Sequence, residues 1–316
     1  MRETVPSVFL VARPSLDLEG LRGYLADVGG EAWLERRVEE SEGAPNAAQL
    51  LIEFGGRACY RSWEPGLNPN VTRVRTDQRE YFANLLRSAH GSVLEHASFS
   101  FALRNVSRVF THELVRHRAG SAFSQESLRY VRLTDIGFRV PPALEPVRDQ
   151  VVSIVEQLEE FQVTAAQALG IEEDGVPFHV KKEVTSALRR LAPIGLSTDI
   201  VWTANVRTLR HVIEMRTAAG AEEELRYVFD LIARIMRREA PGLFQDFAQD
   251  AEGAWVPEFR KVGRAVSRGR SGACGRRRRG AGPGGRGGRP GRRARSGRAA
   301  GCRASSRRRP RRRSRS

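Results

Sequence analysis

The sequence predicts an α+β fold: a helix-rich single domain with a small, mainly antiparallel sheet, followed by a disordered Arg/Gly-rich C-terminal tail. Several long segments carry apolar residues at steps of three and four, which is typical of amphipathic helices. Only a few short segments alternate with period two, so few strands are expected. The composition changes abruptly near residue 262, which separates a predicted domain of residues 1–261 from a tail of residues 262–316.

The N-terminal third of the sequence predicts one strand and three helices. Residues 8–12 form a short apolar run that favours a strand, and the adjacent Gly29 and Gly30 are a helix stop signal. Pro, Gly and Asn occupy five of the six positions from 65 to 70, which predicts a loop. The predicted elements are a strand over 8–12, helices over 16–29, 47–60 and 77–89, and a loop over 63–75.

The rest of the domain predicts one more strand and four helices. Phe99, Phe101 and Leu103 alternate with polar residues, which favours a half-buried strand. Between residues 145 and 169, apolar residues recur at steps of three and four, which indicates a long amphipathic helix. The other helices are predicted over 107–118, 207–217 and 223–238.

Positive charge is confined to the tail. The chain has 53 Lys and Arg against 37 Asp and Glu, a formal net charge of +16. Residues 262–316 hold 21 arginines and no Lys, Asp or Glu, which leaves residues 1–261 with a net charge of −5. The domain therefore offers no general basic surface for a polynucleotide. The tail cannot offset its ordering entropy by burial, so we expect it to be disordered.

The cysteines and the N-terminal residues bear on metal binding and location. Cys59, Cys274 and Cys302 are too few for a disulfide framework or a four-ligand zinc site, so we expect no metal. The apolar run at residues 8–12 is too short for a signal peptide or a membrane span. We therefore expect a protein of the reducing cytoplasm with no membrane partner.

Charged and hydroxyl side chains are concentrated between Glu113 and Tyr130. On a helix, Glu113 and Arg116 would share a face, which suits an ion pair or a joint grip on one ligand. Arg118 precedes a small-residue turn, and its guanidinium could hold a phosphate by paired hydrogen bonds. The alternative interpretation of this run is a solvated charged face.

The run Arg116-His117-Arg118, with Ser127-Leu128-Arg129-Tyr130 downstream, resembles the signature of flavin-dependent thymidylate synthases. That family has Arg-His-Arg, seven residues and then Ser, whereas this chain has eight residues before Ser127. Because residues 124–130 match without a gap, we place the extra residue within 119–123. The resemblance continues in order over residues 57–60, 90–99, 189–193 and 202–216, so it spans roughly residues 8–247 and excludes the tail.

The resemblance implies a reaction, its cofactors and an assembly. Enzymes of this family convert dUMP to dTMP, with 5,10-methylenetetrahydrofolate as carbon donor and FAD reduced by NADPH as hydride source. The folate product is tetrahydrofolate, because the flavin supplies the hydride. The family resemblance also implies a homotetramer with active sites between subunits.

The resemblance assigns one catalytic residue and two sets of ligands. Arg216 matches the arginine that favours the N3-deprotonated uracil ring, a role that a permanently charged guanidinium suits; the alternative is a helix-terminal arginine that favours the dipole. The positions that match the FAD site are Ser98, Arg116, His117, Arg118, Gln125, Asn205, Val206, Arg207 and His211. The positions that match the dUMP site are Glu113, Leu114, Val115, Arg116, Gln125, Glu126, Ser127, Leu128, Arg129, Arg189 and Arg216.

Some of these residues carry a more specific expectation. Arg129 and Arg189 are the expected clamp for the dUMP phosphate. Ser127 is expected to contact the substrate, since a serine without a placed histidine and acid is a weak nucleophile. His96 matches a position near the flavin, although a structural role is an equal alternative. No Gly-x-Gly-x-x-Gly follows a strand, so side chains must build the FAD site.

Helical geometry leaves two alternatives for residues 205–216. At about 100° per residue, Asn205 and Arg216 lie close together around a helix axis, while Arg207 and His211 lie on the far side. Either the helix begins after Asn205, or its two faces serve different active sites in a symmetric oligomer.

Two rival functions are less consistent with the sequence. A cysteine-dependent thymidylate synthase needs a thiolate, and Cys59, the one cysteine before the tail, lies in a setting that resembles the flavin family. An arginine-rich nucleic-acid-binding protein would use the tail as its functional module. The tail has no aromatic residue, so it allows only non-specific phosphate neutralisation and no specific nucleic acid is expected.

A chance extension, translated from GC-rich DNA in an unselected frame, is the interpretation that we favour for the tail.

Overall fold

A computed structural model of the chain describes residues 1–41 and 43–260, so the tail predicted over residues 262–316 lies outside the described residues. The α-helices are α1 (Leu18–Val28), α2 (Glu31–Glu39), α3 (Ala47–Tyr60), α4 (Gln78–Arg87), α5 (Arg108–Leu114), α6 (Arg148–Ala168), α7 (Phe178–Leu188), α8 (Val206–Thr217) and α9 (Glu223–Glu239). The strands are β1 (Arg2–Glu3), β2 (Ser7–Ala12), β3 (Ser98–Ser107), β4 (Ser121–Gln125), β5 (Gly137–Phe138), β6 (Ser197–Asn205), β7 (Phe247–Gln249) and β8 (Trp255–Pro257).

A four-stranded antiparallel sheet in the order β2-β3-β6-β4 lies at the centre of the fold. Strands β3 and β6 pair Ser98 with Asn205 and Phe101 with Trp202, and β4 places Phe123 opposite Trp202. Two short pairs accompany this sheet: β1 runs parallel to β5, and β7 runs antiparallel to β8. The predicted α+β class with a small, mainly antiparallel sheet is confirmed.

Helix α9 covers one face of the sheet with an apolar stripe. Leu225, Val228, Phe229 and Ile232 are fully buried, whereas Ile235 is only partly buried. Removing each such side chain from water contributes about 1.5–3 kcal/mol. Helix α8 packs against α9 and contacts β6 within the same core.

A buried ion cluster fastens α2, α3 and the loop that follows α3. The carboxylate of Glu53 is fully buried and accepts hydrogen bonds from Arg37 at 2.9 Å and from Arg57 at 2.8 Å. Arg57 also donates to the backbone carbonyls of Ser62 and Arg75, both at 2.6 Å. The loop predicted over 63–75 therefore holds its place through side-chain bonds to its backbone, without a helix or strand of its own.

The helix predicted over 107–118 is shorter in the structure. Helix α5 ends at Leu114, because the chain must turn before it enters β4 at Ser121 and pairs with β6. Residues 116–118 therefore lie outside the helix, and the expectation that Glu113 and Arg116 share a helical face is wrong. The sequence pattern did not predict the helices α2 and α7 or the strands β1, β4, β5, β6, β7 and β8.

The start of helix α8 decides between the two alternatives given above for residues 205–216. It begins at Val206, and Asn205 is its N-cap, since the Asn205 side chain accepts the backbone N–H of Thr208 at 2.9 Å. The first alternative, that the helix begins after Asn205, is confirmed. Asn205 is also the last residue of β6, so the sheet delivers the chain directly into the helix.

No helix within residues 1–41 and 43–260 has the length and apolar content needed to cross a bilayer.

Candidate functional site

The turn between α5 and β4 is attached to the N-terminus of α8. The backbone N–H of Asn205 donates to the carbonyl of Gly120 at 3.0 Å, and the hydroxyl of Thr208 donates to the carbonyl of Ala119 at 2.6 Å. Residues 116–118 come directly before this attached turn. Two segments that are distant in the sequence therefore form one site.

Gly120 is required by this close approach. Its φ of 65° lies in the left-handed region, where side chains are disfavoured. A Cβ atom at this position would lie 2.2 Å from Nδ2 of Asn205 and 2.7 Å from the hydroxyl of Thr208. Only glycine lets the turn reach the N-terminus of α8 at this distance.

The first cavity, which we name the α8 pocket, has a volume of about 520 Å³ and lies between this turn and α8. Three arginines and one glutamate line it, so its charge favours an anion. The ion pair between Arg207 Nη1 and Glu95 Oε1, at 2.5 Å, lies in this wall. The lining residues are Glu95, Arg116, His117, Arg118, Ala119, Gly120, Asn205, Arg207, Thr208, His211 and Val212.

Six of the nine positions predicted for FAD line the α8 pocket, and three do not. Ser98 lies opposite Asn205 in the β3–β6 register, next to the pocket wall. Gln125 lines a different cavity. Val206 is fully buried in the core, so only its backbone is available to a ligand, and its N–H is bonded to the carbonyl of Ala97 at 2.9 Å.

The second cavity, which we name the β4 pocket, has a volume of about 430 Å³ and lies beside the end of β4. It brings together the predicted dUMP positions 125–128 with Arg189, which follows α7. Three arginines line it, a composition that suits a phosphate dianion. The lining residues are Arg108, Gln125, Glu126, Ser127, Leu128, Arg189 and Arg190.

Arg108 is a pocket residue that the sequence analysis missed. Its Nη2 donates to the carbonyl of Glu126 at 3.1 Å, while its Nε is buried without a hydrogen-bond partner among the described residues. Burial lowers the pKa of Arg108, and the charge of Arg189 lowers it further against the opposing charge of Glu126. A bound anion would offset both costs.

Arg216 joins the predicted FAD and dUMP residues. Its Nε donates to Nε2 of His117 at 2.8 Å, and its Nη1 lies 2.5 Å from Oε2 of Glu113. Its Nη2 makes a longer contact of 3.4 Å with the backbone carbonyl of Glu113. Only 14% of the Arg216 side chain is exposed, so the guanidinium is held by its partners and not by solvent.

His117 is neutral at physiological pH. Burial, the positive charge of Arg216 and the neighbouring His211 together lower its pKa to about 4, against the opposing effect of the Glu113 carboxylate. The rings of His117 and His211 meet edge to face, with centroids 6.2 Å apart. A neutral imidazole is the form that can accept the Arg216 Nε–H.

The other predicted dUMP residues lie outside both pockets. Leu114 is fully buried in the core, so only its backbone is available to a ligand, while Val115 is exposed. Arg129, one of the two expected phosphate clamps, is exposed, and its backbone N–H donates to the Ser127 hydroxyl at 3.3 Å. Arg190 lines the β4 pocket in addition to Arg189, although the sequence analysis did not select it.

The two residues that bear on the alternatives also lie outside both pockets. Cys59 is exposed on α3 and lines neither the α8 pocket nor the β4 pocket, so the described structure offers no thiolate there. His96 is exposed at the end of a 3-10 helix over Gly91–Glu95. Its ring lies against Gly55 of α3, where a Cβ atom would come within 2.9 Å of it.

The comparisons with known proteins agree on one family. The model of the family described as "Thymidylate synthase complementing protein" matches residues 43–242, a range that contains every predicted site residue. The chain is 36% identical over 221 residues to a flavin-dependent thymidylate synthase of Mycobacteroides abscessus. It is 35% identical over 213 residues to that of Mycobacterium tuberculosis and 35% over 215 residues to that of Mycolicibacterium gilvum. Each alignment covers 66% of this chain and 81%, 81% and 83% of the respective relative.

Proposed function

Because the chain belongs to the flavin-dependent thymidylate synthase family, we propose that it converts dUMP to dTMP. The carbon donor in this proposal is 5,10-methylenetetrahydrofolate, and FAD reduced by NADPH is the hydride source. The single observation that carries the proposal is the position of Arg216, which is bonded to His117 of the α8 pocket and to Glu113 of the predicted dUMP set.

The α8 pocket is the proposed flavin site. Its arginines, Arg116, Arg118 and Arg207, suit the pyrophosphate of FAD, since guanidinium groups bind phosphate oxygens in pairs. Asn205 and Thr208 add polar side chains at the N-terminus of α8, where the helix dipole also favours an anion. The residues present therefore fit a dinucleotide without a glycine-rich turn. When bound, reduced flavin supplies the hydride, so the folate leaves as tetrahydrofolate.

The β4 pocket is the proposed site of dUMP. Arg189, the expected clamp, stands with Arg108 and Arg190, and three guanidinium groups can neutralise a phosphate dianion. Gln125 and Ser127 supply neutral hydrogen-bonding groups in the same cavity. Ser127 is then a substrate contact, in keeping with the absence of any histidine among the residues that line this pocket.

Arg216 is the proposed catalytic residue. A fixed positive charge beside the uracil ring favours its N3-deprotonated form, which raises the electron density at the carbon that accepts the methylene group. Because an arginine remains protonated throughout, it stabilises this anion without donating its proton. No protein nucleophile is needed in this scheme, and the exposed position of Cys59 outside both pockets supports that feature.

We also propose that the chain assembles as a homotetramer in the cytoplasm, with active sites between subunits. Exposed apolar side chains support an assembly: Ile154 and Phe161 are 59% and 42% exposed on α6, and Phe9 and Val11 are 52% and 56% exposed on β2. Light scattering coupled to gel filtration would test the subunit number, and a monomer at micromolar concentration would contradict this part of the proposal.

The proposed function has a direct test. Purified protein should carry the absorbance of a bound flavin and should form dTMP from dUMP only when methylenetetrahydrofolate and NADPH are both supplied. A chain that ends at Gly263 should retain both properties, because all proposed ligands lie before that residue. If neither the full chain nor the shortened chain carries flavin or forms dTMP, the proposed function is excluded.

A further inference from the structure

The side chain of Arg216 is held by two residues of one short segment. His117 accepts the Nε–H at 2.8 Å, and Glu113 accepts from Nη1 at 2.5 Å and from Nη2 at 3.4 Å. A guanidinium has five N–H donors. These contacts use three of them, so two remain for a ligand within the described structure. The three bound N–H groups fix the plane of the guanidinium and thereby the direction of the two remaining N–H groups.

The hydrogen bond to His117 fixes the state of that imidazole. The Arg216 Nε–H can only donate, so Nε2 of His117 must be the unprotonated acceptor and the ring proton must lie on Nδ1. The charged and titratable groups that face His117 are Arg216 and His211 from α8 and Glu113 from α5. Burial, the charge of Arg216 and the neighbouring His211 all favour the neutral ring.

His117 also belongs to the wall of the α8 pocket, so one ring borders that cavity and holds the arginine. We propose that His117 is a positioning residue, whose Nε2 orients the guanidinium of Arg216 for the uracil ring. This inference rests on the proposed function, because Arg216 is the catalytic residue of that function and His117 is the residue that orients Arg216. Without His117, the Nε side of the guanidinium would have no partner, and only the Nη1 ion pair and the 3.4 Å contact of Nη2 with Glu113 would orient it.

The wall of the α8 pocket is thereby linked to Arg216 through one hydrogen bond from Arg216 to His117. Rotation or displacement of the His117 ring would move Arg216. A misplacement of about 1 Å in a positioned catalytic group costs about 100-fold in rate. A positioning role therefore predicts an effect on kcat, whereas a role only in binding dUMP would change KM.

The closing experiment compares two replacements of His117 in the full chain. In His117→Gln, the amide oxygen reaches near the former Nε2 and can still accept the Arg216 Nε–H. His117→Leu has a similar size and no acceptor. His179→Leu, an exposed position on α7, is the matched control. Because His117 also lines the α8 pocket, kcat is expressed per bound flavin. We expect His117→Leu to lower this kcat for dTMP formation about 100-fold, with the KM for dUMP within about threefold, while His117→Gln recovers a large part of the loss.

A second readout does not depend on activity. Solid-state ¹⁵N NMR of histidine-labelled protein should show one imidazole with protonated Nδ1 and unprotonated Nε2 at pH 7, and this signal should be absent in His117→Gln. The signal should shift in Arg216→Met, because that variant removes the donor. An Nε2–H tautomer at His117, or no shift in Arg216→Met, would overturn the inference.

The outcomes separate the inference from the proposed function. Equal kcat values for His117→Leu and His117→Gln, in a wild-type protein that forms dTMP, would overturn the positioning role and leave the proposed function standing. A wild-type protein that forms no dTMP would exclude the proposed function, and the NMR signal would still decide whether His117 holds Arg216. If His117→Leu does not fold, the comparison of His117→Gln with wild type and the NMR result decide the inference.

Discussion

The Nη1 atom of Arg216 lies 2.5 Å from Oε2 of Glu113, although the two residues are 103 positions apart in the sequence. Helix α8 carries the arginine near its C-terminal end, and α5 carries the glutamate near its own. The carboxylate therefore fixes the arginine and offsets part of its charge in the absence of a ligand. An anionic uracil ring would compete with this carboxylate for the same guanidinium.

The first prediction concerns the arginines of the β4 pocket. Arg108→Ala and Arg189→Ala should each raise the KM for dUMP about 10-fold to 100-fold, since a hydrogen bond to a charged group contributes about 1.5–3 kcal/mol. Arg129→Ala should have a smaller effect, because Arg129 is exposed and lies outside the pocket lining. Steady-state kinetics with varied dUMP would measure these effects. A larger effect of Arg129→Ala than of Arg108→Ala would show that the phosphate binds elsewhere.

The second prediction concerns the turn that joins the motif to α8. Gly120→Ala should destabilise the fold by about 1–3 kcal/mol, through its left-handed backbone and the contact of the new Cβ with Asn205. Gly253→Ala is the matched control, because Gly253 also has positive φ but open space around it. Urea unfolding would measure both variants. Equal losses would mean that the approach to Asn205 is not tight in solution.

The third prediction concerns the pH dependence of stability. The pKa of His117 in the fold is about 4, below the ordinary value of 6.5, so between these values the unfolded chain binds more protons at this position. The contribution of His117 should therefore make the free energy of unfolding fall as pH falls from 6.5 to 4. His117→Gln should reduce this slope, as measured by urea unfolding at several pH values. An unchanged slope would contradict a depressed pKa.

The fourth prediction concerns Glu224, whose effect on the pH dependence of stability is opposite to that of His117. Burial raises the pKa of Glu224, against the hydrogen bonds from Ser107, so the fold retains a proton here that the unfolded chain loses above pH 4.5. Stability should therefore decrease at this position as pH rises from 4.5 through the raised pKa. Glu224→Gln should remove this dependence and be at least as stable at pH 7.5 as wild type, with exposed Glu160→Gln as control. A strongly destabilised Glu224→Gln at pH 7.5 would contradict it.

The elements that were predictable from the sequence are those with local signals. Helix α3 occupies the predicted residues 47–60, because its apolar positions repeat with the helical period and Asn46 provides an N-cap. Helix α9 is equally regular. The early end of α5 is different, because it depends on the pairing of β4 with β6, which no local pattern in residues 107–118 contains.

The residues of the candidate site also divide into those that the sequence indicated and those that only the fold brings together. The resemblance selected residues 116–118 and Arg207, which line one cavity in the structure. It did not select Arg108 or Arg190, because their place in the β4 pocket follows from how the start of α5 and the end of α7 meet beside β4. Glu95 lies within the matched range 90–99 but was not selected as a site residue, and its partner Arg207 is 112 positions away in the sequence.

The measurement that tests the central claim most directly is a comparison of wild type with Arg216→Ala for bound flavin and for NADPH-dependent dTMP formation. We predict that both proteins carry flavin and that Arg216→Ala loses about 100-fold to 1,000-fold in kcat, as expected when a charge-stabilising group is removed. Arg234→Ala, at an exposed ion pair of α9, should match wild type in both readouts. An Arg216→Ala protein that forms dTMP at the wild-type rate would contradict the account.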